Sequence, residues 1–182
     1  MTLKNRIKKI AELLRKFNEK NELGIENYAR IRTVDASEID GFDNYPADFQ
    51  LFISEIGYLD LATNDYAALC VDKPLLLSEV LSNKDLRQDD IRLLEFCMAD
   101  RRPELQLIDE LTGQLPDAAV RYPDRFVVVA AWPCSYEVMG FDLTVSPYRP
   151  LNYFGEFFPK WGETFLDFVE YEINWNPSFT NL

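Results

Sequence analysis

The sequence predicts an α+β protein, a mostly antiparallel (mixed) β-sheet flanked by α-helices. Three observations carry this. Apolar residues recur at helical spacing at both ends of the chain and again over residues 46–56. Three β candidates follow one another between residues 125 and 154. The turns between them are short and rich in Pro, Gly and Ser, which favours antiparallel pairing over crossover connections. With 182 residues, 47% of them hydrophobic, the chain suits one domain over 1–182 with a sizeable core.

Leu3, Ile7, Ile10, Leu14 and Phe17 line one face of an N-terminal amphipathic helix over residues 1–20, which Leu13 widens and Thr2 caps. A short strand is expected at Arg30 to Val34, followed by an acidic segment, Asp35 to Asp43. The next helix is the best defined. Pro46 stands near its first position, Asp48 suits its dipole, Phe49, Phe52, Ile53 and Ile56 share a face, and Gly57 occupies the C′ position.

Tyr66 to Val71 reads as a buried strand, and Asp72 with Pro74 opens a short helix through Leu75, Leu76, Val80 and Leu81. Residues 83–124 read as a charged helical insertion, with helices at Asp89 to Ala99 and Pro103 to Leu111. Strands are expected at Arg125 to Trp132, Tyr136 to Val145 and Arg149 to Phe154. A final helix over Glu163 to Ile173 buries Phe165, Phe168, Val169 and Ile173, with Trp161 anchoring its start. Phe157, Phe158, Trp175 and Phe179 fall outside these periodic patterns and are candidates for exposed aromatic anchors.

Charge narrows the function. The chain carries 19 basic and 31 acidic residues, a formal net charge of -12 that would repel a phosphate backbone, so nucleic acid is excluded as partner. Residues 1–20 hold seven basic and two acidic side chains, a net +5, which leaves a body of -17. Such a body steers basic proteins toward itself, and it also serves solubility. No segment has the ~20 apolar residues of a membrane span, and no signal peptide is read at the start, so a cytoplasmic location is expected.

The chemistry of catalysis is sparse. Without histidine the usual triads and most zinc sites are gone, and the seven single glycines form no phosphate-binding loop, so no cofactor, no metal and no catalytic residue is assigned. Cys70, Cys97 and Cys134 lack metal-ligand spacing; Cys70 and Cys97 read as buried apolar side chains, in a reducing compartment. Asp60, Asp65, Glu137 and Asp142 lie beside β candidates, where a solvated or hydrogen-bonded role outweighs a carboxylate-dependent hydrolase.

Ile39-Asp40-Gly41-Phe42, followed by Tyr45-Pro46-Ala47-Asp48-Phe49-Gln50-Leu51-Phe52-Ile53-Ser54-Glu55-Ile56-Gly57, resembles the pattern of the SUKH superfamily: a short acidic helix, a Leu-Pro-like step, and a helix ending in glycine. The later succession from Phe126 through Met139-Gly140-Phe141-Asp142-Leu143 and Arg149 to the Phe165-Leu166-Asp167-Phe168-Val169 helix is similar too. Two departures stand out: Ile56-Gly57-Tyr58 replaces a Gly-Gly step, and residues 83–124 are longer than usual.

The resemblance implies a binding scaffold with no common catalytic residues. Its members include immunity proteins that neutralise toxins, often basic nucleases, and regulators of cell-wall glucan synthesis. The expected partner is therefore a basic toxin domain, with a cell-wall synthesis component as the alternative. The residues assigned to partner binding are Asp35, Glu38, Asp40, Asp43, Asp60, Asp65 and Trp175.

Overall fold

The computed structural model describes residues 1–21, 27–63, 69–82, 123–132, 137–152, 164–175 and 179. Helix α1 spans Leu3–Asn21, and Thr2 caps it through Oγ1, which accepts from the Asn5 N–H. Ile7, Ile10, Leu14 and Phe17 are buried as their spacing demands, whereas Leu3 at the fraying end stays 37% exposed. Helix α2 spans Ala47–Glu55 with Pro46 as its N-cap, directly before the first helical position. Phe49, Phe52, Ile53 and Ile56 are all buried, and Gly57 follows at φ +94°.

That glycine is required twice over. Its φ lies in the left-handed region, and a Cβ there would stand 2.1 Å from the Arg32 carbonyl oxygen. The chain therefore turns out of α2 and enters a strand at once.

Six strands form one sheet in sequence order, and every described pairing is antiparallel: β1 Tyr28–Arg32, β2 Tyr58–Ala62, β3 Cys70–Leu76, β4 Phe126–Trp132, β5 Glu137–Asp142 and β6 Arg149–Asn152. Short helix α3 spans Leu77–Ser82, and α4 spans Phe165–Trp175. The α+β class with an antiparallel sheet is as expected, but several elements differ from prediction.

Strand β2 has no counterpart in the sequence reading, because Asp60 interrupts a stretch only five residues long that starts directly after a glycine. β1 begins two residues before the predicted strand. The short helix read from Asp72 through Leu81 begins only at Leu77, as α3, and Asp72 to Leu76 continue β3. Pro74 is tolerated there because the pairing with β4 shifts register between Val71 and Leu75, so its missing N–H breaks no ladder. The predicted helical insertion lies outside the described residues, except that Pro123–Arg125 forms a 3-10 turn. Trp161, Phe157, Phe158, Cys97 and Cys134 also lie outside them.

One face of the sheet carries the main core. Ala29, Leu59, Leu61, Val71, Ala130, Met139 and Phe141 meet the apolar stripes of α1, α2 and α4 in a single cluster. Its centre is aromatic: Phe49 lies 5.2 Å from Phe141 and 5.0 Å from Phe165, both edge-on, a geometry worth about 0.5–1.5 kcal/mol per pair beyond area. Cys70, Leu77, Phe126 and Val128 are buried outside that cluster.

The free edge of β1 is guarded. Asn18 on α1 accepts from the Ala29 N–H and donates to the Ala29 carbonyl, both at 2.8 Å, replacing a neighbouring strand at that residue. Exposed Arg30 and Arg32 flank Ile31 farther along, charged side chains of the kind that discourage strand addition.

Candidate functional site

The acidic segment between β1 and α2 is built as a fixed platform. Asp35 caps a 3-10 turn over Ala36–Glu38: its Oδ1 accepts from the Ser37 hydroxyl at 2.7 Å and from the Ser37 N–H at 2.9 Å. These two bonds hold the Asp35 carboxyl below its ordinary pKa, so it is charged at neutral pH. Gly41, at φ +66°, reverses the chain into a second 3-10 turn over Phe42–Asn44.

Two buried side chains pin this platform, Ile39 at 4% exposure and Tyr45 at 3%. Its backbone is held from both sides: Gln50 Nε2 of α2 donates to the Tyr45 carbonyl at 2.6 Å, and the Tyr148 N–H donates to the Asn44 carbonyl at 2.7 Å. Asp35, Glu38, Asp40 and Asp43 are all exposed on it. The sequence therefore located four carboxylates that the fold does bring together on one short ordered stretch.

The other assigned residues part from that group. Asp60 is buried in β2, with Arg30 and Cys70 as its strand partners, so it does not join the exposed four. Alternation along β2 puts it on the face opposite Leu59 and Leu61, beside the buried Cys70. Asp65 lies outside the described residues, as does the side chain of Trp175, whose backbone closes α4. Phe179 is no exposed anchor: it is buried and stacks on Phe17 with centroids 4.7 Å apart. Asp142 is also structural, accepting from the Thr144 N–H and hydroxyl at 2.9 and 2.6 Å.

Two concavities flank the platform and share Ile39 and Gly41. A shallow hollow of about 410 Å³ lies over Ala36, Ser37, Phe42 and Asp43, and a cleft of about 360 Å³ runs between Ile39–Gly41 and strand β3. The cleft brings Lys73, Glu79, Tyr45 and Tyr148 beside Asp40, and none of these partners was legible as a site residue. They come from three separate stretches of chain, around Tyr45, over β3 and α3, and at Tyr148, and no local pattern links them. Burial pushes the Tyr45 phenol well above its ordinary pKa, with Tyr148 adding to the shift, so it is protonated at neutral pH.

Among the described residues no group of three or more Asp, Glu, Cys or His gathers as metal ligands, and no helix is long and apolar enough to cross a membrane. The class shown is an α+β fold with an antiparallel sheet, in which the acidic segment between β1 and α2 borders an apolar-walled cleft. Compared with protein-family models, curated proteins and solved structures, the chain matches none.

Proposed function

We propose that the chain is a non-enzymatic protein-binding domain of SUKH type, an immunity protein that neutralises a basic, nuclease-type toxin in the cytoplasm by docking on it. The observation that carries this reading is the platform itself: Asp35, Glu38, Asp40 and Asp43 are exposed on a segment whose backbone is fixed by Gln50, Tyr148 and two buried anchors. Preorganised charge loses little conformational entropy on binding and steers a basic partner into register. The net -17 outside the first 20 residues extends that field.

The test is co-expression with the proteins encoded beside this chain. A basic neighbour that arrests growth alone, is tolerated together with this chain, and purifies with it as a stable complex is the expected result. If no neighbouring product forms a complex and growth arrest by a basic neighbour persists, the immunity reading is wrong.

A further inference from the structure

The cleft beside the acidic platform has a composition that the platform alone does not need. Ile39, Pro74, Leu75, Leu76, Val127 and Leu143 make its walls apolar. Asp40 and Glu79 bring two carboxylates to it and Lys73 one ammonium, a net of -1. Glu79 is held in place, its Oε2 accepting from the Leu76 N–H at 3.0 Å.

Tyr45 adds a polar group to this lining. It is only 3% exposed, yet its hydroxyl is not among the buried polar atoms that lack a partner, so it calls for none in the free protein. An occupant that covers it must offer it a polar group in place of solvent.

Long cationic side chains fit this combination. Their methylene stems lie on apolar surface while the charged head reaches carboxylates and a hydroxyl oxygen that can accept. An anionic head would meet two carboxylates against one ammonium, and a purely apolar group would leave the Tyr45 hydroxyl without a partner. We propose that this cleft is the anchor pocket that receives one lysine or arginine side chain of the basic partner protein, its stem on Pro74, Leu75 and Val127 and its charge beside Asp40 and Glu79. The inference rests on the docking role given to the acidic platform and adds which groove the partner enters and with what residue.

The test uses the full chain, isotope-labelled, titrated by NMR with three capped tripeptides, Gly-Arg-Gly, Gly-Lys-Gly and Gly-norleucine-Gly. The expected result is saturable shifts at the amides of Asp40, Gly41, Leu75 and Leu76 with the two cationic peptides, with Kd on the order of millimolar. The norleucine peptide should bind about fivefold more weakly, and Asp40→Asn and Glu79→Gln should each weaken the cationic peptides about threefold. Leu75→Trp, which fills the cleft, should abolish the response, and its own spectrum reports whether it is folded.

Equal binding of all three peptides, or shifts confined to Asp35 and Asp43 that survive Leu75→Trp, would overturn the anchor. Cytochrome c serves as a folded basic probe for the platform in parallel. If it still binds in a salt-sensitive way that depends on Asp35, Glu38 and Asp43, the platform reading stands without the anchor. If it does not bind, the platform reading falls, and the tripeptides still decide the cleft.

Discussion

The Asp48 carboxylate accepts a hydrogen bond from the Leu166 N–H at 2.8 Å, joining the first turn of α2 to the first turn of α4 across 118 positions of sequence. Asp48 is 95% buried, yet it faces a helix N-terminus, where free N–H groups and the helix dipole both favour negative charge. Thr164 caps the same turn from within, its Oγ1 accepting from the Asp167 N–H. Asp48→Ala should therefore destabilise the protein by about 1–3 kcal/mol, since it strips a buried N–H of its partner. Asp48→Asn, which keeps an acceptor oxygen, should lose less. Urea unfolding of both variants measures this, and equal losses would show that the charge rather than the acceptor matters.

The two left-handed glycines should respond differently to a methyl group. At Gly57 the Cβ meets the Arg32 backbone, which cannot move without shifting β1, so Gly57→Ala should cost roughly 2–4 kcal/mol. At Gly41 the nearest atom is the Tyr148 hydroxyl at 2.9 Å, the far end of a side chain, so Gly41→Ala should cost only the backbone term, about 1–2 kcal/mol. Thermal melts of the pair test the ordering.

Much of this was legible from sequence, where a repeating spacing was long enough to outweigh local noise. The α1 stripe and the Phe49, Phe52, Ile53, Ile56 face with Gly57 behind it are local patterns, and apart from Leu3 both are buried where the spacing placed them. Strand β2 was not legible, because its one buried acidic residue, Asp60, reads as surface in isolation. Pro74 misled in the same way: a helix-opening signal in sequence, it sits at a register shift that only the pairing with β4 creates. The acidic platform was visible as composition. The cleft beside it was not, because Tyr45, Lys73, Glu79 and Tyr148 converge only through the sheet.

Phe179 illustrates the limit of periodicity near a chain end. It belongs to no stripe, yet it closes the core by stacking on Phe17 of α1 with an interplanar angle of 15°. Phe179→Ala should destabilise by about 3–5 kcal/mol if the site stays open, and by less where α1 settles into the space. Phe179→Leu should recover most of the loss. Chemical denaturation decides it, and a change below about 0.5 kcal/mol would mean that the stack contributes little in solution.

Stability should fall in alkali. Burial pushes the Tyr58 phenol up to about 12 from an ordinary value of 10.0, with Asp72 adding to the shift and Arg32 opposing it; burial also raises Tyr45. Both pKa values are higher in the folded chain than in the unfolded one. Between the two values the unfolded chain has released a proton that the folded chain still holds, so rising pH favours unfolding. The contribution is complete below pH ~10 and is lost as pH climbs toward ~12. Denaturation midpoints measured from pH ~9 to ~11 should decline, and Tyr58→Phe should flatten the decline. A wild-type slope unchanged in both Tyr58→Phe and Tyr45→Phe would assign the alkaline loss to other groups.

The acidic platform makes a kinetic prediction that separates steering from holding. Exposed carboxylates at Asp35, Glu38, Asp40 and Asp43 lie in solvent, where each contact with a basic partner is worth under ~1 kcal/mol and is screened over a Debye length of ~8 Å at physiological salt. Their joint field acts before contact, so it should appear in the on-rate. Neutralising Asp35, Glu38 and Asp43 together should slow association with a basic partner by about tenfold at low salt and flatten the salt dependence, with little change in dissociation. Asp35→Ala has an added consequence, because that carboxylate also accepts the two bonds that fix Ser37 at the head of the platform. Its loss should be larger than that of Asp43→Ala, since Asp43 lies inside its 3-10 turn, whose N-cap is Gly41. Surface-plasmon kinetics over a salt series, with the partner immobilised, distinguish these cases. Should the on-rate prove indifferent to salt and to all three neutralisations, the negative charge serves solubility and the partner docks elsewhere.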